Sequence, residues 1–155
     1  MRIVRAAPAD VAALATLMAA SRLLRRYGVT ASGARSSLRD GLRRDELILV
    51  ARDSSGTRGL AWVIASRALD HSAYLRLLLV DEGQRSRGLG ADLLATAERR
   101  ARAAGSRHMV LLVTATNRRA RAFYVRQGYR CVGSMAGFAR AGITEALYVK
   151  ALRRA

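Results

Sequence analysis

The feature that most constrains the fold is a mainly apolar segment that runs into a glycine-bearing turn and then a helical pattern. Residues 75–80 predict a strand, a polar turn with glycines at Gly88 and Gly90 begins at Asp81, and apolar residues then recur at helical spacing up to Ala104. The first turn of a helix leaves backbone N–H groups unpaired and carries partial positive charge. This order of elements therefore predicts an anion site between strand and helix.

The side chains of the turn favour a phosphate as that anion. Arg85 and Arg87 supply fixed positive charge with several donors each, and a phosphate can approach the backbone at Gly88 and Gly90 because no side chain stands there. On this segment alone an alternative stays open, in which the glycines only permit the turn and the arginines are solvated.

Two commoner phosphate-binding motifs are excluded. A Walker loop needs Gly-Lys followed by Ser or Thr, but the sole lysine is Lys150. The dinucleotide fingerprint needs a third glycine where the chain has Leu93, and an acidic residue at the end of the next strand, which is missing. The ligand inferred is thus a phosphate-bearing molecule held mainly by backbone groups.

A second segment, residues 116–129, supports the phosphate site. It follows a predicted buried strand, and Asn117 suits the N-cap of a helix that Gly128 would end. Together the two segments resemble the acetyl-CoA-binding core of the GNAT N-acetyltransferase superfamily over residues 74–129. The resemblance rests on Arg85-x-x-Gly88-x-Gly90, Asn117, Phe123-Tyr124 and Gly128-Tyr129.

The resemblance implies an α/β (α+β) fold, with a mixed and mostly antiparallel sheet of about seven strands, a parallel pair formed by the fourth and fifth strands, and about four helices. We expect one GNAT domain over residues 1–155, whose 51% apolar residues supply its core. The patterns predict strands at 2–5, 46–53, 58–66, 74–80, 108–115, 129–135 and 143–152, and helices at 8–24, 32–44, 88–104 and 117–128.

The resemblance also implies an enzyme, an acyltransferase that takes acetyl-CoA as co-substrate and transfers the acetyl group to a primary amine by direct attack in a ternary complex. In similar proteins the strand before the turn pairs with the pantetheine arm, the turn holds the pyrophosphate, and a tyrosine that corresponds to Tyr124 protonates the leaving thiolate. The residues implied to bind the cofactor are Leu78, Leu79, Val80, Arg85, Ser86, Arg87, Gly88, Leu89, Gly90, Ala91, Asn117 and Tyr124.

The chain departs from the family pattern where a general base is concerned. Members that use a glutamate base carry it at positions that align with Tyr74 or Leu112, and neither residue is a carboxylate. A familiar loop proline between Val80 and Arg85 is also missing. The base stays unassigned, and the amine can lose its proton to ordered water. The nearest titratable side chains are Asp70 and His71, expected in an exposed turn, and Glu145 on the last strand.

The acceptor groove of similar proteins is lined by the first two helices and the final hairpin loop. Here these are residues 21–44, which include Tyr27, and residues 136–142, which include Phe138. Like charges in the first region disfavour polycations, so an amine that is otherwise neutral or anionic is favoured, on a small molecule or on a protein. The arginines concerned are Arg22, Arg25, Arg26, Arg35 and Arg39.

Net charge and the missing base keep two other classes open. The formal net charge of +17, from 28 basic and 11 acidic residues, suggests a polyanionic partner such as nucleic acid. Aromatic side chains are few and are not interleaved with the arginines, so nucleic-acid binding ranks below solvated charged faces. A non-catalytic acyl-CoA-binding module would fit the missing base, whereas Tyr124 favours catalysis.

The remaining composition predicts a cytoplasmic protein without a metal. His71, His108 and Cys131 lie far apart in the sequence, and one cysteine forms no internal disulfide. Cys131 is expected to be a small core residue. No run reaches the roughly 18 apolar residues that a membrane span needs. We expect a monomer or homodimer with no membrane partner.

Overall fold

The computed structural model describes residues 1–66, 69–84 and 88–152. Its strands are β1 Arg2–Arg5, β2 Leu47–Asp53, β3 Gly56–Ser66, β4 Ser72–Val80, β5 His108–Thr114, β6 Arg130–Ala136 and β7 Thr144–Ala151. Its helices are α1 Val11–Ala20, α2 Arg22–Arg26, α3 Ala31–Arg43, α4 Leu89–Ala103 and α5 Arg118–Arg126, with short 3-10 turns at Pro8–Asp10 and Glu82–Gln84.

The seven strands form one sheet in the order β1-β2-β3-β4-β5-β7-β6. Neighbouring strands are antiparallel except for β4 and β5, which are parallel. A parallel pair needs a crossover connection, and α4 supplies it. The predicted fold is confirmed, with four helices of nine residues or more and the short α2.

Each face of the sheet has its own core. One core packs α4 against alternate residues of β2 to β5, and the other packs α1 and α3 against the intervening residues of β2 to β4. Helix α4 buries the face that its apolar spacing predicts: Leu89, Leu93, Leu94, Ala97 and Ala101.

Two local details differ from the sequence prediction. The helix predicted over residues 8–24 is interrupted at Ser21, whose backbone is extended and whose Oγ accepts a hydrogen bond from the Leu24 amide at 3.4 Å to cap α2. Helix α3 begins at Ala31, one residue before the predicted start, because the Thr30 Oγ1 accepts from the Gly33 amide at 3.1 Å and caps the helix.

The prediction that Cys131 is a core residue is wrong. Cys131 is exposed on β6, which lies at the edge of the sheet with β7 as its neighbour. The register between these strands shifts between Cys131 and Gly133, so the alternation that placed Cys131 inward is interrupted.

Candidate active site

The central feature of the site is the separation of β4 from β5. Their parallel pairing covers only residues 73–75 and 109–111. Beyond it, β4 stays paired with β3 as far as Val80, while β5 stays paired with β7 as far as Thr114. The edge of β4 that faces β5 over residues 76–80 thus has no strand partner in the described part of the chain. Its backbone groups border a cleft of about 1000 Å³.

One wall of the cleft contains most of the residues predicted to bind the cofactor. Leu89 is the exception among those described, because its side chain is buried in the core beneath α4. Arg85, Ser86 and Arg87 lie outside the described residues. The predicted residues that line the cleft are Leu78, Leu79, Val80, Gly88, Gly90, Ala91, Asn117 and Tyr124.

Helix α4 begins at this wall, and its N-cap residue supplies no side-chain hydrogen bond to the first turn. The N-cap is Gly88, whose φ of +83° is in the left-handed region, and a Cβ built there would meet nothing within 4 Å. Glycine is therefore required by backbone conformation and leaves open space before the first turn. The acidic residue of that turn, Asp92, is exposed and does not line the cleft.

Asn117 caps α5 as predicted. Its Oδ1 accepts a hydrogen bond from the Ala120 amide at 3.1 Å, and the side chain also lines the cleft. The cap uses the carbonyl oxygen of this side chain. Its amide nitrogen remains as a hydrogen-bond donor for a ligand.

Tyr124 lies in an aromatic cluster at the same wall. Its ring meets those of Phe123 and Tyr129 edge to face, with centroids 5.1 and 5.6 Å away, and that of Tyr148 at 6.4 Å. Burial raises the pKa of Tyr124 above its usual 10.0, so the phenol is protonated at neutral pH. Its hydroxyl makes no hydrogen bond to another described residue, which leaves the proton free to be donated into the cleft.

The opposite wall holds a hydrogen-bonded group that the sequence did not bring together. Tyr27, at the C-cap of α2, donates to Glu145 Oε1 at 2.8 Å and shares a 2.6 Å hydrogen bond with Thr114 Oγ1. The Ala139 amide donates to Glu145 Oε2 at 3.3 Å. Burial raises the pKa of Tyr27, and the Thr114 hydrogen bond opposes that rise. Glu145 is only 2% exposed but borders the cleft.

Comparison with known proteins agrees with this geometry. The model of the acetyltransferase (GNAT) family matches residues 18–129. The chain belongs to the GNAT acetyltransferase family. Because the members of this family are acetyltransferases, the match confirms the sequence prediction that the protein is an acyltransferase. No curated protein matches the sequence significantly.

Solved GNAT structures share the fold over almost the whole chain. The chain is similar to an N-acetyltransferase from Staphylococcus aureus Mu50, with 20% identity, 98% of each chain covered and a TM-score of 0.81. A ribosomal-protein-alanine N-acetyltransferase from Brucella melitensis is 20% identical, with 97% of this chain and 99% of that chain covered and a TM-score of 0.80. An aminoglycoside 6'-N-acetyltransferase complexed with coenzyme A is 16% identical, with 100% and 99% covered and a TM-score of 0.83.

The positions where some GNAT members carry a base are in the cleft of this GNAT chain. Tyr74 and Leu112 both line it and neither is a carboxylate. Asp70 and His71 are exposed residues with φ of 48° and 62° and do not border the cleft, as expected for a turn. Glu145 is therefore the buried carboxylate that this GNAT site offers within the described residues.

The acceptor groove differs in part from the prediction. Tyr27 and Ala139 line the cleft, but Phe138 is 64% exposed and does not. Of the five arginines of residues 21–44 expected to line the groove, only Arg22 borders the cleft, whereas Arg35 and Arg39 border a separate groove on α3. Arg25 and Arg26 are exposed. Arg76 of β4 also borders the cleft, and the sequence pattern did not identify it as a site residue.

The described residues show neither a cluster of metal ligands nor a membrane-spanning helix. No three side chains of His, Cys, Asp or Glu within them are grouped so that they could hold a metal ion. None of the described helices has the length and apolar character that crossing a membrane requires.

Proposed function

We propose that this protein is an acetyl-CoA-dependent N-acetyltransferase that acts on a primary amine, either a small molecule or an amino group of a protein. The observation that carries the proposal is that the unpaired edge of β4, the N-terminus of α4 and the neutral phenol of Tyr124 border a single cleft. A GNAT structure complexed with coenzyme A has the same fold, which supports the choice of donor.

The donor would be held largely by backbone groups. The pantetheine arm extends along the free edge of residues 78–80, where amides and carbonyls can pair with it as a strand would. The pyrophosphate lies before Gly88, where the α4 dipole and free N–H groups favour an anion. Asn117 donates its amide N–H to the arm from the other side of the gap.

The transfer is a single displacement in a ternary complex. The amine nitrogen attacks the thioester carbonyl carbon, the N–C bond forms, and the C–S bond breaks. A backbone N–H of β4 donates to the developing oxyanion, and the Tyr124 hydroxyl gives its proton to the departing thiolate. The amine nitrogen gives up one proton, which passes through water to the Tyr124 oxygen and restores the phenol, so the products are the N-acetyl amine and coenzyme A with its free thiol.

Transfer to amines in the presence of acetyl-CoA tests the proposal. The purified protein is mixed with acetyl-CoA and each amine in turn, and free coenzyme A thiol is measured alongside binding of acetyl-CoA at equilibrium. We expect thiol release that depends on the amine and an N-acetylated product in equal amount. Binding without transfer to any amine would identify a binding module, and no binding would refute the donor site.

A further inference from the structure

The acceptor wall of the cleft contains a carboxylate and a guanidinium to which the proposed donor contacts assign no role. These are Glu145 and Arg76. Both act electrostatically on Tyr74, which also lines the cleft.

Glu145 is a buried carboxylate without a cation. It is 2% exposed, and its two oxygens accept one hydrogen bond each, from Tyr27 and from the Ala139 amide. A carboxylate accepts about four hydrogen bonds, so capacity remains on both oxygens. No lysine or arginine of the described chain forms an ion pair with it. A buried negative charge in this state is best stabilised by a cation that arrives with a ligand.

The surroundings of Glu145 hold its carboxylate in one orientation. Thr114 can donate to the Tyr27 hydroxyl, which in turn donates to Glu145. Each hydroxyl has a single proton, so this chain of donors ends on the carboxylate. Thr114 lies on β5, Tyr27 at the end of α2 and Glu145 on β7. Their hydrogen bonds therefore connect the acceptor wall to the end of β5 that is not paired with β4.

Arg76 is presented to the cleft by a bulge in β4. Trp62 is paired with Leu77 and Val63 with Leu75, so Arg76 is the extra residue. Its guanidinium carbon lies 4.7 Å from the centroid of the Trp62 ring. Stacking uses the face of the guanidinium and leaves its N–H donors free in the plane. Within the described residues no carboxylate pairs with them.

Tyr74 lies within electrostatic reach of both groups. Burial raises the pKa of its phenol, the positive charge of Arg76 opposes that rise, and the negative charge of Glu145 adds to it. Both charges thus act on one side chain at the point where β4 and β5 separate. A small ligand that covers Tyr74 would be within electrostatic reach of a negative and a positive group.

We propose that Glu145 binds the ammonium group of the acceptor and Arg76 binds a carboxylate on the same molecule, so that the acceptor is a primary amine that also carries a carboxylate. This inference rests on the proposed function. The bound ammonium gives one proton to the Glu145 carboxylate, or to water beside it, before the neutral nitrogen attacks. A polyamine would bring its second charge towards Arg76 and Arg22, and an amine without a carboxylate would leave the Arg76 donors unpaired.

A matched set of acceptors tests the charge preference. The probes are ω-amino acids with one to five methylenes between amine and carboxylate, the corresponding amides, and the corresponding diamines. We expect kcat/KM for the best amino acid to exceed that for its amide by about tenfold or more, with the diamine lowest. A preference for the diamine or the amide, or acetyl-CoA binding with transfer to no amino acid of the set, overturns the inference.

Substitutions then assign the two charges. Arg76→Gln is expected to remove the advantage of the acid over the amide, whereas Arg130→Gln, which changes the net charge equally at an exposed site on β6, keeps it. Glu145→Gln is expected to lower kcat/KM for every amine by about a hundredfold and to leave KM for acetyl-CoA unchanged. Unaltered amine kinetics in Glu145→Gln, or an unaltered acid preference in Arg76→Gln, refutes the assignment.

Glu98→Gln is the matched control for the carboxylate. Glu98 also accepts from a tyrosine hydroxyl, that of Tyr129 at 2.9 Å, and it lies outside the cleft. The Glu98→Gln substitution should lower stability without changing the order of acceptors. If this variant also lost the preference for the acid over the amide, the loss would reflect lower stability, and the inference would be overturned. If Glu145→Gln does not fold, Arg76→Gln decides, because Arg76 is exposed. Failure of acetyl-CoA to bind wild type refutes the proposed function itself.

Discussion

At the residue scale, the two walls of the cleft differ in how far the sequence could predict them. Asn117 was predicted as a helix cap from the local pattern and Tyr124 was named by the family resemblance, and both are positioned by the same nine-residue helix. Glu145 could be named only as a nearby carboxylate, because its partner Tyr27 is 118 residues away in the chain. A contact of that separation depends on how α2, β5 and β7 pack, which no local pattern specifies.

Replacing Tyr124 with Phe is expected to keep the fold and acetyl-CoA binding while lowering kcat by about 10² to 10⁴, the contribution of a positioned general acid. The ring contacts with Phe123 and Tyr129 remain, and only the proton donor is removed. Steady-state kinetics with the best acceptor, together with an acetyl-CoA titration, check this expectation.

Tyr148→Phe is the control for that substitution. Tyr148 belongs to the same aromatic cluster but does not border the cleft, and its hydroxyl accepts from Arg121 Nε at 3.1 Å. We expect it to retain turnover. Full turnover in Tyr124→Phe, under conditions where chemistry limits the rate, would make Tyr124 structural.

At the element scale, the hydrophobic patterns predicted nearly every helix and strand with ends within two residues. The break at Ser21 was missed because Leu23 and Leu24 continue the apolar pattern of α1. The break turns α2 so that Tyr27 reaches β5 and β7, which is a tertiary effect. The early end of the β4–β5 pairing was not predicted, because the apolar patterns of both strands continue beyond the paired residues.

Gly88→Val tests the N-terminus of α4 as the phosphate site. Wild type is expected to gain thermal stability from acetyl-CoA, since a ligand that binds only the folded state stabilises it by mass action. Valine at a φ of +83° strains the backbone and fills the space before the first turn, so the ligand-induced rise in Tm should vanish. Circular dichroism establishes that the variant is folded, and an undiminished rise in such a protein would exclude this site.

Gly41→Ala tests the packing of α3 over Trp62. A Cβ at this position would lie 2.5 Å from Trp62 Cζ2, so the helix or the indole must move. We expect the free energy of unfolding to fall by about 1–3 kcal/mol, although alanine is the better helix former. Denaturant unfolding of this variant, of Trp62→Phe and of the double variant should reveal favourable coupling, because the smaller ring relieves the clash. Additive effects would contradict the proposed contact.

At the scale of the whole molecule, the net charge of +17 is only partly explained by the site. The arginines of α3 that border its surface groove, Arg35, Arg39 and Arg43, lie away from the cleft. The fold itself tolerates large changes in sequence, since structures only 16–20% identical share it at TM-scores of 0.80 or more.

Binding to a random-sequence DNA duplex tests whether the charge serves nucleic acid. We expect a Kd weaker than about 1 µM at about 0.15 M salt, with steep further weakening as salt rises, because released counterions drive such association. A fluorescence anisotropy titration over a series of salt concentrations measures both. Submicromolar binding at the same salt would show that a polyanion is a partner.

The separation of β4 from β5 has a consequence for how enzymes of this shape can diversify. The polar groups on the unpaired edge of β4 and at the start of α4 belong to the main chain. Most substitutions therefore leave them in place as the sequence changes. The facing wall depends on side chains such as Tyr27, Arg76 and Glu145. On the proposed function, a few replacements there can exchange one amine for another, so that duplicated copies acquire new acceptors while the donor site is kept.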